Sequence, residues 1–166
     1  NSVVGWHRHI VGGTDAAVES VAVIPNPDGG GEELWTSVKR TVNGSTVRYI
    51  DYMKPIRVRT VDQEDSFYVD SGLTYDNSAV TTVGGLQHLI GETVSILADG
   101  ANHPSKVVDS EGYITLDRSA SVITVGLGYV SNMKTLRPDD GASDGTAQGK
   151  TKRIDELTVR FWESLG

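Results

Sequence analysis

Turn-forming residues recur roughly every ten residues along this chain, and a polypeptide punctuated that often has room for short strands but not for long helices. Asn43-Gly44 is the sharpest signal, because both central positions of a tight hairpin need positive φ, which Asn and Gly adopt most readily. Leu34 to Val42 and Thr46 to Met53 flank it as arms, bearing Trp35, Val38, Val47, Tyr49, Ile50 and Tyr52, side chains suited to a pleated, half-buried surface. Upstream, Glu19 to Ile24 alternates with Val21 and Val23 on one face, until Pro25 to Gly31 breaks the pattern. A strand-like Val3 to Val11 would complete an antiparallel meander about the size of one propeller blade. One blade cannot bury both faces alone, and the abrupt start in Val3, Val4 and Trp6 suggests a piece of a longer polypeptide.

Pro55 to Glu64 is polar and reads as a junction, dividing the chain into a blade-like meander over 1–60 and a small β-barrel or sandwich domain over 61–166. In the second part, strands are expected at Phe67 to Val69, Ala79 to Val83, Thr93 to Ala98, Tyr113 to Leu116 and Val122 to Gly126. Turns at Asp76-Asn77-Ser78, Ala98-Asp99-Gly100 and Ser110-Glu111-Gly112 separate them. The barrel core is expected to hold Val94, Ile96, Leu97, Ile114, Leu116, Val122, Ile123 and Val125. A long glycine-rich loop follows over 137–150; in Lys152 to Leu165 a helical stripe of Ile154, Leu157, Phe161 and Leu165 competes with the alternation of Leu157, Val159 and Phe161, and the β propensity of Thr158, Val159, Phe161 and Trp162 favours a strand. The fold class is therefore mostly β.

The chain has no cysteine, which removes disulfides, thiol nucleophiles and thiolate zinc sites. No apolar run approaches the roughly 18–20 residues of a membrane span, so no membrane insertion by this fragment is expected. Fifteen basic against 22 acidic side chains give a formal charge of −7, which opposes phosphate-backbone attraction, and no sequence-specific nucleic-acid binding is expected. Arg57, Arg59, Lys150, Lys152 and Arg153 are local exceptions without the interleaved aromatics of a stacking platform.

Motifs that resemble chemistry lack their contexts. Gly141-Ala142-Ser143-Asp144-Gly145 has the nucleophile-elbow pattern, yet neither a buried strand before it nor a helix after it is present in the sequence. Gly145 to Thr151 approaches a phosphate-binding loop but is one residue short between its glycines, and Asp144 stands where the missing glycine would be. His7 and His9 would share one strand face as two metal ligands, with no third assignable from His88, His103 or a carboxylate. The acidic sets Asp62, Glu64, Asp65 and Asp139, Asp140, Asp144 lack calcium-loop spacing and read as solvated turns. No catalytic residue, cofactor or metal site is assigned, and the chain reads as non-enzymatic.

Three stretches nevertheless carry a resemblance. They are Glu19 to Pro25 with Glu33-Leu34-Trp35, Arg40 to Gly44 and Arg48-Tyr49-Ile50; Leu86 to Gly91 with Val94 and Leu97 to Gly100; and Val125 to Tyr129 with Lys134 to Pro138 and Asp144 to Ile154. They resemble bacteriophage short-tail proteins of the tail tubular or nozzle type, whose barrel region is often compared with the FCCH domain of ubiquitin-activating enzymes. That comparison concerns shape and implies no ubiquitin chemistry. The resemblance implies a structural component of the DNA conduit and tail assembly, in the virion and, during assembly, in the host cytoplasm. Its partners would be other copies in a ring and neighbouring tail proteins. Arg137, Asp139, Asp140, Asp144, Lys150, Lys152 and Arg153 would then form an assembly loop bearing both charge signs. The other reading is a tail-tip module in which aromatics such as Trp6, Trp35, Tyr52 or Trp162 recognise a host glycan or partner protein.

Overall fold

The computed structural model describes residues 8–27, 29–54 and 62–132, together with 134, 149, 151, 153 and 156–159. Strands account for 58% of these and helix for 5%, so the chain is mostly β. Two compact units divide it, Asn1–Val130 with Leu165–Gly166 and Ser131–Ser164; both sheets described below lie in the first.

The first sheet is a three-stranded antiparallel meander of β1 (Thr14–Pro25), β2 (Glu32–Val42) and β3 (Ser45–Tyr52). Asn43 and Gly44 join β2 to β3 with φ of 46° and 73°, the positive values the dipeptide was expected to supply. Alternation along β2 buries Val38, Arg40 and Val42 on one face. The strand expected over Val3 to Val11 is not formed at residues 8–11, and its earlier part lies outside the described residues. Among the described residues β1 therefore pairs with β2 alone.

The second sheet has the order β4-β7-β5-β6, built from β4 (Asp70–Val83), β5 (Thr93–Ala98), β6 (Ala101–Val107) and β7 (Ile114–Leu127). Among the described residues it does not close into a barrel, leaving β4 and β6 as edges. Of the expected core, Val94, Ile96, Ile114, Leu116, Ile123 and Val125 are buried, joined by Leu86, Leu89 and Val108, while Leu97 and Val122 are half-buried. Burying each such aliphatic side chain is worth about 1.5–3 kcal/mol, which makes this cluster the main source of stability in the unit. Gly126 and Gly72 allow β7 and β4 to approach: a Cβ on Gly126 would lie 2.7 Å from the Gly72 Cα.

Several strand limits differ from expectation. Phe67 to Val69 are not in a strand, and β4 runs on through the expected turn at Asp76-Asn77-Ser78, which becomes a register shift between Asp76 and Val80. There Tyr75 Oη donates to the Ser78 carbonyl at 2.7 Å and the Asn77 side chain accepts from the Ser78 amide, so turn chemistry makes a bulge. The expected strands at 113–116 and 122–126 are one continuous β7. Glu156 to Val159 are not in a strand, and Leu157 is 78% exposed. The junction expected over 55–64 falls between β3 and β4; residues 55–61 lie outside the described ones.

Candidate functional site

One seam of polar contacts runs from β2 and β3 of the first sheet to the start of β4 in the second. Arg40 stands on the inward parity of β2 beside Val38 and Val42 and is 1% exposed, so its charge needs a partner. Its Nε donates to the Gly12 carbonyl at 3.0 Å, and its Nη1 sits 2.8 Å from Asp51 Oδ2 as an ion pair outside hydrogen-bond alignment. The Gly12 amide in turn donates to Asp70 Oδ2 at 2.6 Å, and Asp70 Oδ1 lies 3.1 Å from His9 Nε2. His9 meets Tyr129 edge-on at 4.8 Å. Burial, with the Asp70 charge nearby, raises the Tyr129 phenol above its ordinary value.

A second link runs through Tyr49, whose hydroxyl donates to the His88 carbonyl at 2.7 Å while the His88 ring bonds the Ser71 carbonyl at 2.8 Å. Burial raises the Tyr49 phenol, Arg40 lowers it and Asp51 raises it. Beside this link opens a cleft of about 340 Å³ between Ile50, Asp51 and Tyr52 at the end of β3 with Lys54 just beyond it, and Phe67, Ser71–Thr74 and His88. Lys54 Nζ lies 4.4 Å above the Phe67 ring, and Tyr52 stacks on Trp35 at 5.4 Å across the β2–β3 pair.

The carboxylates around these features hold structure. Asp51 faces Arg40, Asp70 caps Gly12, and Asp109 Oδ1 accepts from the amides of Glu111 and Tyr113. Lys106 donates to Asp117 and holds its carboxyl below the usual range. Among the described residues no three His, Asp or Glu side chains come together as metal ligands.

Of the residues singled out from sequence, Arg137, Asp139, Asp140, Asp144, Lys150 and Lys152 lie outside the described residues, as do Ser143, Trp6, His7 and Trp162. Arg153 is exposed and outside any strand. His9 is committed to Asp70, His88 to Ser71 and His103 to Pro104 and Asp117, so the described histidines are not brought together. Asp62, Glu64 and Asp65 belong to a single 3₁₀ turn over Gln63–Asp65 and its cap. Sequence reasoning missed the Arg40–Asp51 pair. Its signal was an arginine in phase with the buried valines of a strand, a position where a charge must be paired. A scan of the chain against models of known protein families found no match, and neither did a search of curated proteins.

Proposed function

We propose that this chain is a non-enzymatic structural component of a bacteriophage tail of the tube or nozzle kind, contributing to the DNA conduit and to tail assembly. The observation that carries its structural half is the commitment of Asp51, Asp70, Asp109 and Asp117 to amides or cations that fix the fold. The tail half rests on the resemblance in the three stretches, whose Leu86, Leu89, Val94, Ala98 and Val125 are buried and whose Asp99-Gly100 makes a hairpin turn. Its partners would be copies of itself in a ring and neighbouring tail proteins, with the assembly loop from Arg137 to Arg153 supplying both charge signs. An antibody raised against the chain should decorate the tails of purified particles of the virus that encodes it. Particles that lack the chain by mass spectrometry would overturn the reading.

The stacked Trp35–Tyr52 pair favours a second reading, a module that recognises a host glycan or partner protein, because Tyr52 is 47% exposed at the mouth of the cleft. A glycan array discriminates the two: retention abolished by Tyr52→Ala supports recognition, whereas no retention favours the structural role alone.

A further inference from the structure

Edge strands expose unpaired amides and carbonyls, and proteins that stay single guard them with charges, proline or bulges. Four strands are edges among the described residues: β1 and β3 in the first sheet, β4 and β6 in the second. On β3, Arg48 and Asp51 interrupt the apolar pattern. On β6, Pro104 removes a donor and Lys106 adds a charge. On β4, register shifts fall between Asp70 and Leu73, between Asp76 and Val80, and between Val80 and Thr82.

The first half of β1 is guarded as well, by Asp15, Glu19 and shifts at Thr14/Ala17 and Val18/Ser20. Among the described residues its second half is not. Ser20 to Ile24 keeps an unbroken register against Ser37 to Glu33 of β2 and has neither charge nor proline. Every one of these residues is exposed, with Val21 at 64%, Val23 at 58% and Ile24 at 39%. An uncharged β-branched run of this kind is a template for another strand.

The geometry points to a second copy of this chain as that strand, paired antiparallel along Ser20 to Ile24 about a two-fold axis at Ala22. The run is self-complementary in this register. Val21 faces the second copy's Val23, Ser20 faces its Ile24, and Glu19 faces its Pro25, so no like charges oppose one another despite the acidic chain. Pairing by one edge closes at a dimer, because each copy's unguarded edge is used up. The inference stands independently of the tail reading.

The two-fold axis supplies the test, since a substitution at Ala22 meets itself. Sedimentation velocity of the full chain should show a dimer that dissociates on dilution. Ala22→Lys and Ala22→Glu should each weaken it by roughly tenfold or more, through like charges placed directly opposite. Mixing the two variants should restore a dimer, which shows that both remain folded; Ile50→Glu on the guarded β3 edge should leave self-association unchanged. A wild-type chain that is monomeric at every concentration overturns the proposal, as does association that Ala22→Lys leaves intact or that mixing fails to restore.

Discussion

Asp99 and Val122 bind each other twice: the Asp99 amide donates to the Val122 carbonyl at 2.8 Å, and the Val122 amide donates back to Asp99 Oδ1 at 2.9 Å. Oδ1 also accepts from the Ser121 amide, and Arg118 donates to the Ala98 carbonyl at the start of the same turn. The β5–β6 hairpin is thereby fastened to the middle of β7. Asp99 has a φ of 48°, which Asn and Asp tolerate better than other side chains.

The first prediction concerns acid stability. The Val122 and Ser121 amides hold the Asp99 carboxyl below its ordinary range. A group whose folded value is depressed contributes stability that is present above the unfolded value, about 3.9, and is lost as pH falls through the folded one. Asp99→Asn keeps the backbone conformation and an acceptor, so it should lower the denaturation midpoint at neutral pH and flatten its decline in acid. Asp99→Ala should cost more, because it also loses tolerance of positive φ. Urea titrations at neutral pH and below pH 4, the unfolded carboxyl range, check both outcomes. Equal acid sensitivity in the wild type and Asp99→Asn would refute this role for the carboxylate.

The second concerns the seam. Removing one member of a buried ion pair leaves the other uncompensated, at roughly 3–5 kcal/mol. Arg40 is 1% exposed on its side chain and Asp51 23%, so the two deletions are unequal. Asp51→Ala strands a guanidinium that water cannot reach, whereas Arg40→Met leaves a carboxylate that can be partly hydrated and fills the space with apolar volume. Asp51→Ala should therefore destabilise more than Arg40→Met in denaturant titration, and the double variant should recover part of the loss. Additive losses would mean that the pair is not coupled.

How far the sequence could be read depended on whether a local signal had one structural meaning. Asn43-Gly44 had one, and the β2–β3 hairpin follows it. Asp76-Asn77-Ser78 had two, because side chains that close a turn also close a bulge, and the register of β4 against β7 selected the bulge. Pro104 hid β6, whose edge position tolerates a missing donor. The expected strands at 113–116 and 122–126 left residues 117–121 unassigned, yet Lys106 and the Ala98 carbonyl across the sheet engage Asp117 and Arg118 and β7 continues. The seam was harder still, since Arg40 and Asp51 meet across the β2–β3 pair at offset positions, and Gly12 reaches Asp70 only where the first sheet packs on the second.

The third prediction is a tautomer. His103 is 3% exposed, and the Asp117 amide can only donate, so the Nε2 atom 2.9 Å from it must accept. The proton then sits on Nδ1, which donates to the Pro104 carbonyl at 2.8 Å. Long-range ¹H–¹⁵N correlation spectra at neutral pH should show the Nδ1–H form, and the Nε2–H form would contradict the bonding described. His103→Ala leaves the Asp117 amide and the Pro104 carbonyl without their partner, each costing about 1–3 kcal/mol where water cannot replace it. His103→Asn, which offers both a donor and an acceptor, should cost less.

The last prediction follows from charge. Fifteen basic against 22 acidic side chains leave −7 per chain, and a ring of copies would multiply it. Binding to duplex DNA gains its free energy from cations that displace condensed counterions, so a surface on which acids outnumber bases gains little and repels the phosphates at long range. In the proposed conduit this lets DNA pass without adhering to the wall. Four of the described cations are engaged with acids: Arg40 faces Asp51, Arg48 holds Glu19 through a bidentate contact that lowers the Glu19 carboxyl, Lys106 holds Asp117 and Arg118 lies 3.8 Å from Asp99. These pairs would have to open before the cations could grip a phosphate. Fluorescence anisotropy with labelled duplex DNA should show no binding at low ionic strength. Glu19→Gln, which frees Arg48 and removes one negative charge, should leave that unchanged, because one cation releases too few counterions for retention. Salt-sensitive binding by the wild-type chain would count against the conduit role, since a wall that holds DNA at low salt would slow its passage.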